Sequence, residues 1–184
     1  MAGYMKMVCL FAFWIQGWSS FMYGQSLGSF VPKGYGILDT LYGDLNMDAN
    51  KDAMLILKIK DEKDTSTADR PLLILEGISK DKYKLAGRND HIVFCASCGG
   101  AMGDPYHGAT IENGSFSIMH YGGSAQRWTQ IITFTYQAKT GKYILQSDAG
   151  ESFNSTEPNK IKIIKNQKAN WGKVSFEDYS NAGD

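Results

Sequence analysis

Gly43-Asp-Leu-Asn-Met-Asp-Ala-Asn-Lys-Asp-Ala-Met-Leu-Ile-Leu-Lys-Ile-Lys60 is the stretch on which the reading of the chain turns. Asp44, Asn46, Asp48 and Asn50 place an oxygen-bearing side chain at every second position, and Asp52 follows. Carboxylates this close repel one another unless a cation lies between them. A hard cation such as Ca²⁺ takes about six to eight oxygens at once, so a short loop of this spacing can wrap one ion. The side chains of Asp44, Asn46, Asp48 and Asp52 and the backbone carbonyl of Asn50 would be its ligands. The same spacing also suits an Asp/Asn-rich turn between strands that holds no ion. The residues that follow decide the fold. Ala53 to Lys60 is a short apolar run that reads as a strand, and no helical repeat succeeds it.

Outward from this stretch the same grammar continues. Phe30 to Thr40 is broken by Gly and Pro and leads into the loop. Asp61 to Asp69 is a polar connection. Leu72 to Gly77 and Tyr83 to Ala86 read as a hairpin turned at Ser79–Lys82. Arg88-Asn89-Asp90 turns the chain again into His91 to Cys95. Ala109 to Glu112 and Ser115 to Tyr121 flank Asn113-Gly114, the strongest short hairpin signal. Arg127 to Gln137 alternates around Trp128, Ile131, Phe134 and Tyr136, and turns at Thr140-Gly141 into Lys142 to Gln146. Ser147 to Asn159 is polar and reads as an exposed loop. Lys160 to Lys165 alternates like an edge strand guarded by lysines, and Trp171 to Tyr179 adds one more short strand. No internal repeat emerges. The expected fold is mainly β with little helix: a single-domain antiparallel meander of about eight to ten strands, as a sandwich, a curved sheet or a partly closed barrel.

Residues 1–24 have the make-up of an export signal. Lys6 is the only charge, Met7 to Phe13 is apolar, and Ser19, Ser20 and Gly24 are small. An uncleaved membrane anchor is the alternative, disfavoured because Gln16, Gly17 and the Ser pair interrupt the run. Without this segment the chain carries 18 basic and 19 acidic residues. That near balance excludes nucleic acid or an anionic membrane as a charge-driven partner. A periplasmic or extracellular location is expected, with residues 25–184 as one domain.

Loss of the segment also removes Cys9 and leaves Cys95 and Cys98. An even count in an exported chain favours a disulfide. Zinc held by Cys95, Cys98, His107 and His120, a redox-active pair and two free thiols are the other readings. Four Gly and a Pro between Cys95 and Gly108 rule out regular structure there. The second dense cluster is Ser117-Ile118-Met119-His120-Tyr121-Gly122-Gly123-Ser124 with Arg127-Trp128. Alternation puts Ser117, Met119 and Tyr121 on one face and Ile118 and His120 on the other. His120 is then a core histidine. On the functional reading, His120, Tyr121, Arg127 and Trp128 meet Asp104, Tyr106 and His107 in one binding surface, since aromatics and Arg dominate binding hot spots. A Ser124–His120–Asp104 hydrolase can be drawn, without the tight nucleophile turn such enzymes use. Asn113-Gly114-Ser115 and Asn154-Ser155-Thr156 match glycosylation acceptors and are read as ordinary turns.

The 44–52 loop resembles the calcium loop of integrin-type FG-GAP/VCBS repeats and the first half of dockerin and EF-hand loops. The resemblance covers about fifteen residues and implies Asp44, Asn46, Asp48 and Asp52 as ligands. Ala49 stands where those loops carry Gly, and Leu55 where an EF-hand carries its bidentate Glu, so an EF-hand is excluded. Over Phe30 to Gln146 the order of ion loop, strand, Cys-x-x-Cys-Gly-Gly and His-Tyr-Gly-Gly-Ser-x-x-Arg-Trp is similar to a group of uncharacterised exported bacterial proteins. That resemblance implies the compartment and no mechanism. The expected function is a calcium-stabilised, exported β domain that binds a protein or an envelope glycan, in the manner of an inhibitor for instance. The alternative is a hydrolase, zinc-dependent through Cys95, Cys98, His107 and His120 or assisted by Asp104 and His120.

Overall fold

The computed structural model describes residues 24–166 and 168–181. The export segment expected over 1–24 lies, apart from Gly24, outside them. Among the described residues nine strands form two antiparallel sheets. The first has the order β1 (Tyr35–Gly43), β2 (Asp52–Ile59), β3 (Arg70–Ser79), β4 (Lys82–Val93). The second has the order β5 (Tyr106–Glu112), β6 (Ser115–Gly123), β7 (Gln126–Gln137), β8 (Lys142–Asn154), β9 (Glu157–Lys165). The result is a β sandwich in which every strand pairs with its sequence neighbour except across the β4–β5 crossing. Among the described residues no helix is long and apolar enough to cross a membrane.

The alternation of β6 shows why it is a strand. Phe116, Ile118, His120 and Gly122 are buried and their neighbours are not, so one face seals the core. Between the sheets Met54, Ile56, Leu72 and Ile74 meet Phe116, Ile118, Ile132, Phe134 and Leu145. Phe116 stacks on Phe134 at 5.3 Å, and Phe176 of the C-terminal segment stands edge-on to both at 5.5 and 5.7 Å. Strands β2 and β3 are buried on both faces over most of their length. This accounts for their unbroken apolar runs. Their outer faces pack under Leu27, Phe30, Val31 and Tyr35.

Three local expectations need correction. Arg88-Asn89-Asp90 does not turn the chain but lies within β4. The Asn89 side-chain oxygen accepts hydrogen bonds from the backbone of His91 and Ile92, at 2.7 and 2.8 Å. A carboxamide thereby replaces ladder partners at an irregularity between Arg70 and Leu72 of β3. The run Ser147 to Asn159 is strand, not loop, apart from a turn at Ser155-Thr156: β8 takes it to Asn154 and β9 begins at Glu157. The polar residues of β8 pair with β7 on one side and β9 on the other. Trp171 to Tyr179 is a series of turns with one bridge, Ile144 to Ser175, rather than a strand.

The sandwich has two dissimilar ends. At one, the Asp/Asn loop docks on the β5–β6 turn: Gly114 N–H donates to the Asp44 carbonyl at 3.2 Å. A side chain at Gly114 would strike Met47. Asn113 and Gly114 both take positive φ, 41° and 77°, the twist a two-residue hairpin needs. At the other end lie Phe94, the Cys95–Cys98 loop and the β6–β7 turn.

Candidate functional site

The core-facing side of the second sheet changes character along its strands. At the turn end it is apolar, with Phe116, Phe134, Tyr143 and Leu145. Toward the disulfide end the same faces carry His120, Gln130 and Asp148, all buried. His120 lies opposite Gln130 and Gly122 opposite Trp128, with Ser152 beyond. Buried polar side chains need partners, and here they find them in the chain's C-terminal segment.

Asp148 is fully buried, and its ligands are uncharged. Gln130 Nε2 and Asn166 Nδ2 donate to its Oδ1 at 2.8 and 3.0 Å, and the Tyr179 hydroxyl donates to its Oδ2 at 2.8 Å. Burial, followed by the charge of Asp148, pushes the Tyr179 phenol well above the ordinary tyrosine range. Asn181 Nδ2 donates to the carbonyls of His91 and Ile92 at 2.7 and 3.1 Å, and its oxygen accepts from Tyr179. These bonds tie the C-terminal segment to β4 of the opposite sheet.

Above this network lies a cavity of about 210 Å³, lined by Phe94, Trp128, Thr129, Gln130, Ile164, Asn166 and Asn181. Trp128 and Phe94 meet edge to face at 5.8 Å. Gly122 lets the indole close in, since a Cβ there would lie 2.5 Å from the ring. By register Gly150 falls between Gln130 and Ile164. A Cβ on Gly150 would lie 1.9 Å from the Thr129 carbonyl, so the strand tolerates only glycine there. The amide nitrogens of Gln130 and Asn166 are turned onto Asp148, which leaves each its carbonyl oxygen as an acceptor for a visitor.

Phe94 is held from three sides. Its N–H donates to His120 Nε2 at 3.3 Å, and its carbonyl accepts from Arg70 at 3.2 Å. The next residue, Cys95, is joined to Cys98 in a disulfide. Arg70 is buried and also forms ion pairs with Glu62 and Asp104, each at 2.6 Å. Burial would lower the Arg70 pKa, but the hydrogen bonds to Asp104 and Glu62 raise it further than burial lowers it. Burial likewise works against the Asp104 charge, but the Arg70 hydrogen bond, the Tyr106 N–H and the Arg70 charge together outweigh it, so Asp104 sits below the usual carboxylate range. His120 is different: burial pushes its pKa down to about 4. With Nε2 accepting, the proton rides on Nδ1, which has no partner among the described residues.

The residues expected to form one binding surface are divided. His120 and Trp128 face inward. Tyr106 bonds across to Asp39 at 2.8 Å, which links β5 to β1. Asp104 is engaged with Arg70 and Tyr106 N. His107, Tyr121 and Arg127 lie on the outer side, where Arg127 donates to the Tyr121 hydroxyl at 2.9 Å. The Cys95–Cys98 disulfide, the first of the four readings, withdraws both thiolates from metal chemistry. His107 is exposed while His120 is buried on the strand paired with it. Among the described residues no three His, Cys, Asp or Glu side chains gather as a metal site; amide and carbonyl oxygens stand outside that count. Ser124, His120 and Asp104 make no triad contacts, since His120 Nε2 and both Asp104 oxygens are already engaged.

The Asp/Asn loop closes on itself. Asp44 accepts from the backbone of Asp48 and Ala49 at 3.1 and 3.0 Å, and Asn46 from Asp48 at 3.1 Å. Asp48 accepts from Asn50 N at 2.8 Å, which holds its carboxyl below the ordinary value. Ala49 adopts φ 66°, a left-handed conformation that glycine takes more readily than alanine. Asp52 turns inward instead: its two oxygens accept from Leu45 N and Gly77 N, both at 2.8 Å. Burial raises its pKa against those two bonds.

Phe94, Gln130, Asp148, Asn166 and Asn181 were not candidates from sequence; of the cavity's walls only Trp128 was. No family model, curated protein or solved structure matches this chain.

Proposed function

We propose that the protein is a binding module that takes a neutral, hydroxylated ring, the end of a glycan chain, into the Phe94–Trp128 cavity. One observation carries this reading: the lining contains two aromatic side chains, three carboxamides, a threonine and an isoleucine, and no ionisable group. Aromatic faces suit the C–H surface of a sugar ring, and spare amide oxygens suit its hydroxyl donors. The cavity falls below the ~300 Å³ at which drug-sized sites begin, which favours a single ring. An uncharged lining offers nothing for acid–base catalysis and nothing to stabilise a phosphate or carboxylate. In this reading the disulfide supports an oxidising, extracytoplasmic setting. The 44–50 loop, already wound in the left-handed turn at Ala49, binds Ca²⁺ as a structural ion through Asp44, Asn46 and Asp48.

Calorimetric titration with neutral oligosaccharides and their uronic-acid counterparts tests the reading. Neutral chains bind, Trp128→Ala weakens them roughly tenfold or more, and uronic acids do not bind. Failure of every neutral chain to bind, or binding indifferent to Trp128→Ala, overturns it in favour of a protein partner.

A further inference from the structure

The outer face of the first sheet carries a second apolar layer of Ala53, Leu55, Leu57, Leu73, Leu75 and Tyr83. Residues 27–35 cover most of it. Near the Asp/Asn loop the cover ends and the surface opens into a cavity of about 670 Å³, well inside the ~300–1,000 Å³ of small-molecule sites. Leu27, Tyr42 and Tyr83 form apolar walls, and Lys51 and Lys80 stand beside a single acid, Asp81. Lys51 Nζ lies 4.3 Å over the Tyr42 ring. That contact fixes the ammonium while leaving its hydrogen-bond donors available. Among the described residues neither lysine pairs with a carboxylate. Backbone closes one wall: a Cβ at Gly77 would lie 2.5 Å from the Lys51 carbonyl. No residue here belongs to the Phe94–Trp128 cavity.

We infer that this cavity is a second binding site, for a small amphiphilic anion. Its ring or alkyl body lies against Leu27 and Tyr42, and its carboxylate or sulfonate group sits between Lys51 and Lys80. Charge separates the two sites. The glycan cavity has no ionisable lining, whereas this one has two cations against one acid and an apolar wall. An ammonium held over an aromatic ring next to apolar surface matches a ligand that is both anionic and greasy, and it matches neither a neutral sugar nor a bare inorganic ion.

The aromatic sulfonate 8-anilinonaphthalene-1-sulfonate is the probe, titrated into the folded full chain at neutral pH with fluorescence as readout. Binding is saturable and weakens as salt rises. The double substitution Lys51→Gln and Lys80→Gln weakens it roughly tenfold. Gly28→Phe abolishes it, because a Cβ at Gly28 meets nothing within 4 Å and the residue lines the cavity, so the ring fills the space. Trp128→Ala leaves it unchanged. Thermal melts check that each variant is folded; if Gly28→Phe is not, the lysine pair and the salt series decide. Absence of saturable binding, insensitivity to the lysine substitutions, or loss with Trp128→Ala each overturns the assignment.

Discussion

Acidification from pH 7 to pH 5 removes about 2 kcal/mol of folding stability through His120 alone. The side chain is fully buried, so solvent does not screen the effect. Burial lowers its pKa from 6.5 to about 4. The unfolded chain therefore takes up a proton below pH 6.5, while the folded chain resists until about pH 4. Stability contributed by the neutral ring is complete above the unfolded value and is lost as pH falls toward the folded one. Over the whole interval the loss is about 3 kcal/mol, at roughly 1.4 kcal/mol per unit. Asp52 works the other way, since its raised pKa makes folding more favourable in acid. The measurement is therefore a difference. Urea unfolding of the parent and of His120→Gln is followed at pH 7 and at pH 5. The parent loses about 2 kcal/mol more than the variant, a further drop in Tm of several degrees. Equal losses, or a His120 titration near 6.5 by NMR in the folded protein, would refute the argument that burial governs this ring.

Three more outcomes follow from the same geometry. Ala49→Gly raises stability by up to about 1 kcal/mol in thermal melts, because the left-handed turn at φ 66° costs an alanine more than a glycine; a fall in Tm would mean that the turn is not left-handed in solution. EDTA lowers Tm by several degrees, and Ca²⁺ but not Mg²⁺ restores it, if the Asp44–Asn50 loop holds calcium as proposed; identical melts with and without chelator reduce the loop to a hydrogen-bonded turn. Asp104→Ala strips one of two carboxylates from the buried Arg70; because Asp104 is itself 40% exposed and Glu62 stays paired, the cost in urea unfolding is about 1–2 kcal/mol; a loss under ~0.5 kcal/mol would show that Glu62 alone satisfies the guanidinium.

Where two-residue alternation was regular, the fold was legible. Phe116, Ile118 and His120 sit on the buried side of β6 as spacing requires, and Asn113-Gly114 makes its hairpin. It failed where side chains stand in for backbone. Asn89 looked like a turn because Arg88-Asn89-Asp90 is polar, yet its carboxamide satisfies the local N–H groups and the strand continues. Ser147 to Asn154 looked like a loop because its residues are small and polar on both faces, and it becomes strand by pairing on both sides. The site was half legible. Reading β7 around Trp128, Ile131, Phe134 and Tyr136 mixes its two faces. A strict period of two puts Trp128, Gln130, Ile132 and Phe134 together, and a glutamine on that core face was the available clue. Nothing local marks Asn166 or Asn181, which reach Asp148 and Gln130 only once the C-terminal segment folds back.

Two carboxylate arrangements at one end of the molecule, one half-open to solvent at Asp104 and one fully buried at Asp148, are held in opposite ways, and the contrast bears on the proposed binding reading. Glu62 and Asp104 are matched to a cation, Arg70, in ion pairs that also hold the Phe94 carbonyl. Asp148 has no cation among the described residues and rests on two amides and a phenol. Apolar residues of similar volume often replace buried ionic groups at no loss of stability, so a core built for stability alone had simpler options at both places. What the two arrangements share is their effect on the cavity: one fixes the aromatic wall at Phe94, and the other turns the Gln130 and Asn166 amides so that their nitrogens point down and their oxygens remain for a ligand. Orientation of this kind needs charge beneath it, because an amide over an apolar floor has no reason to prefer one flip to the other. On the proposed reading, the polar end of the core is the support of a binding surface rather than a lapse in packing.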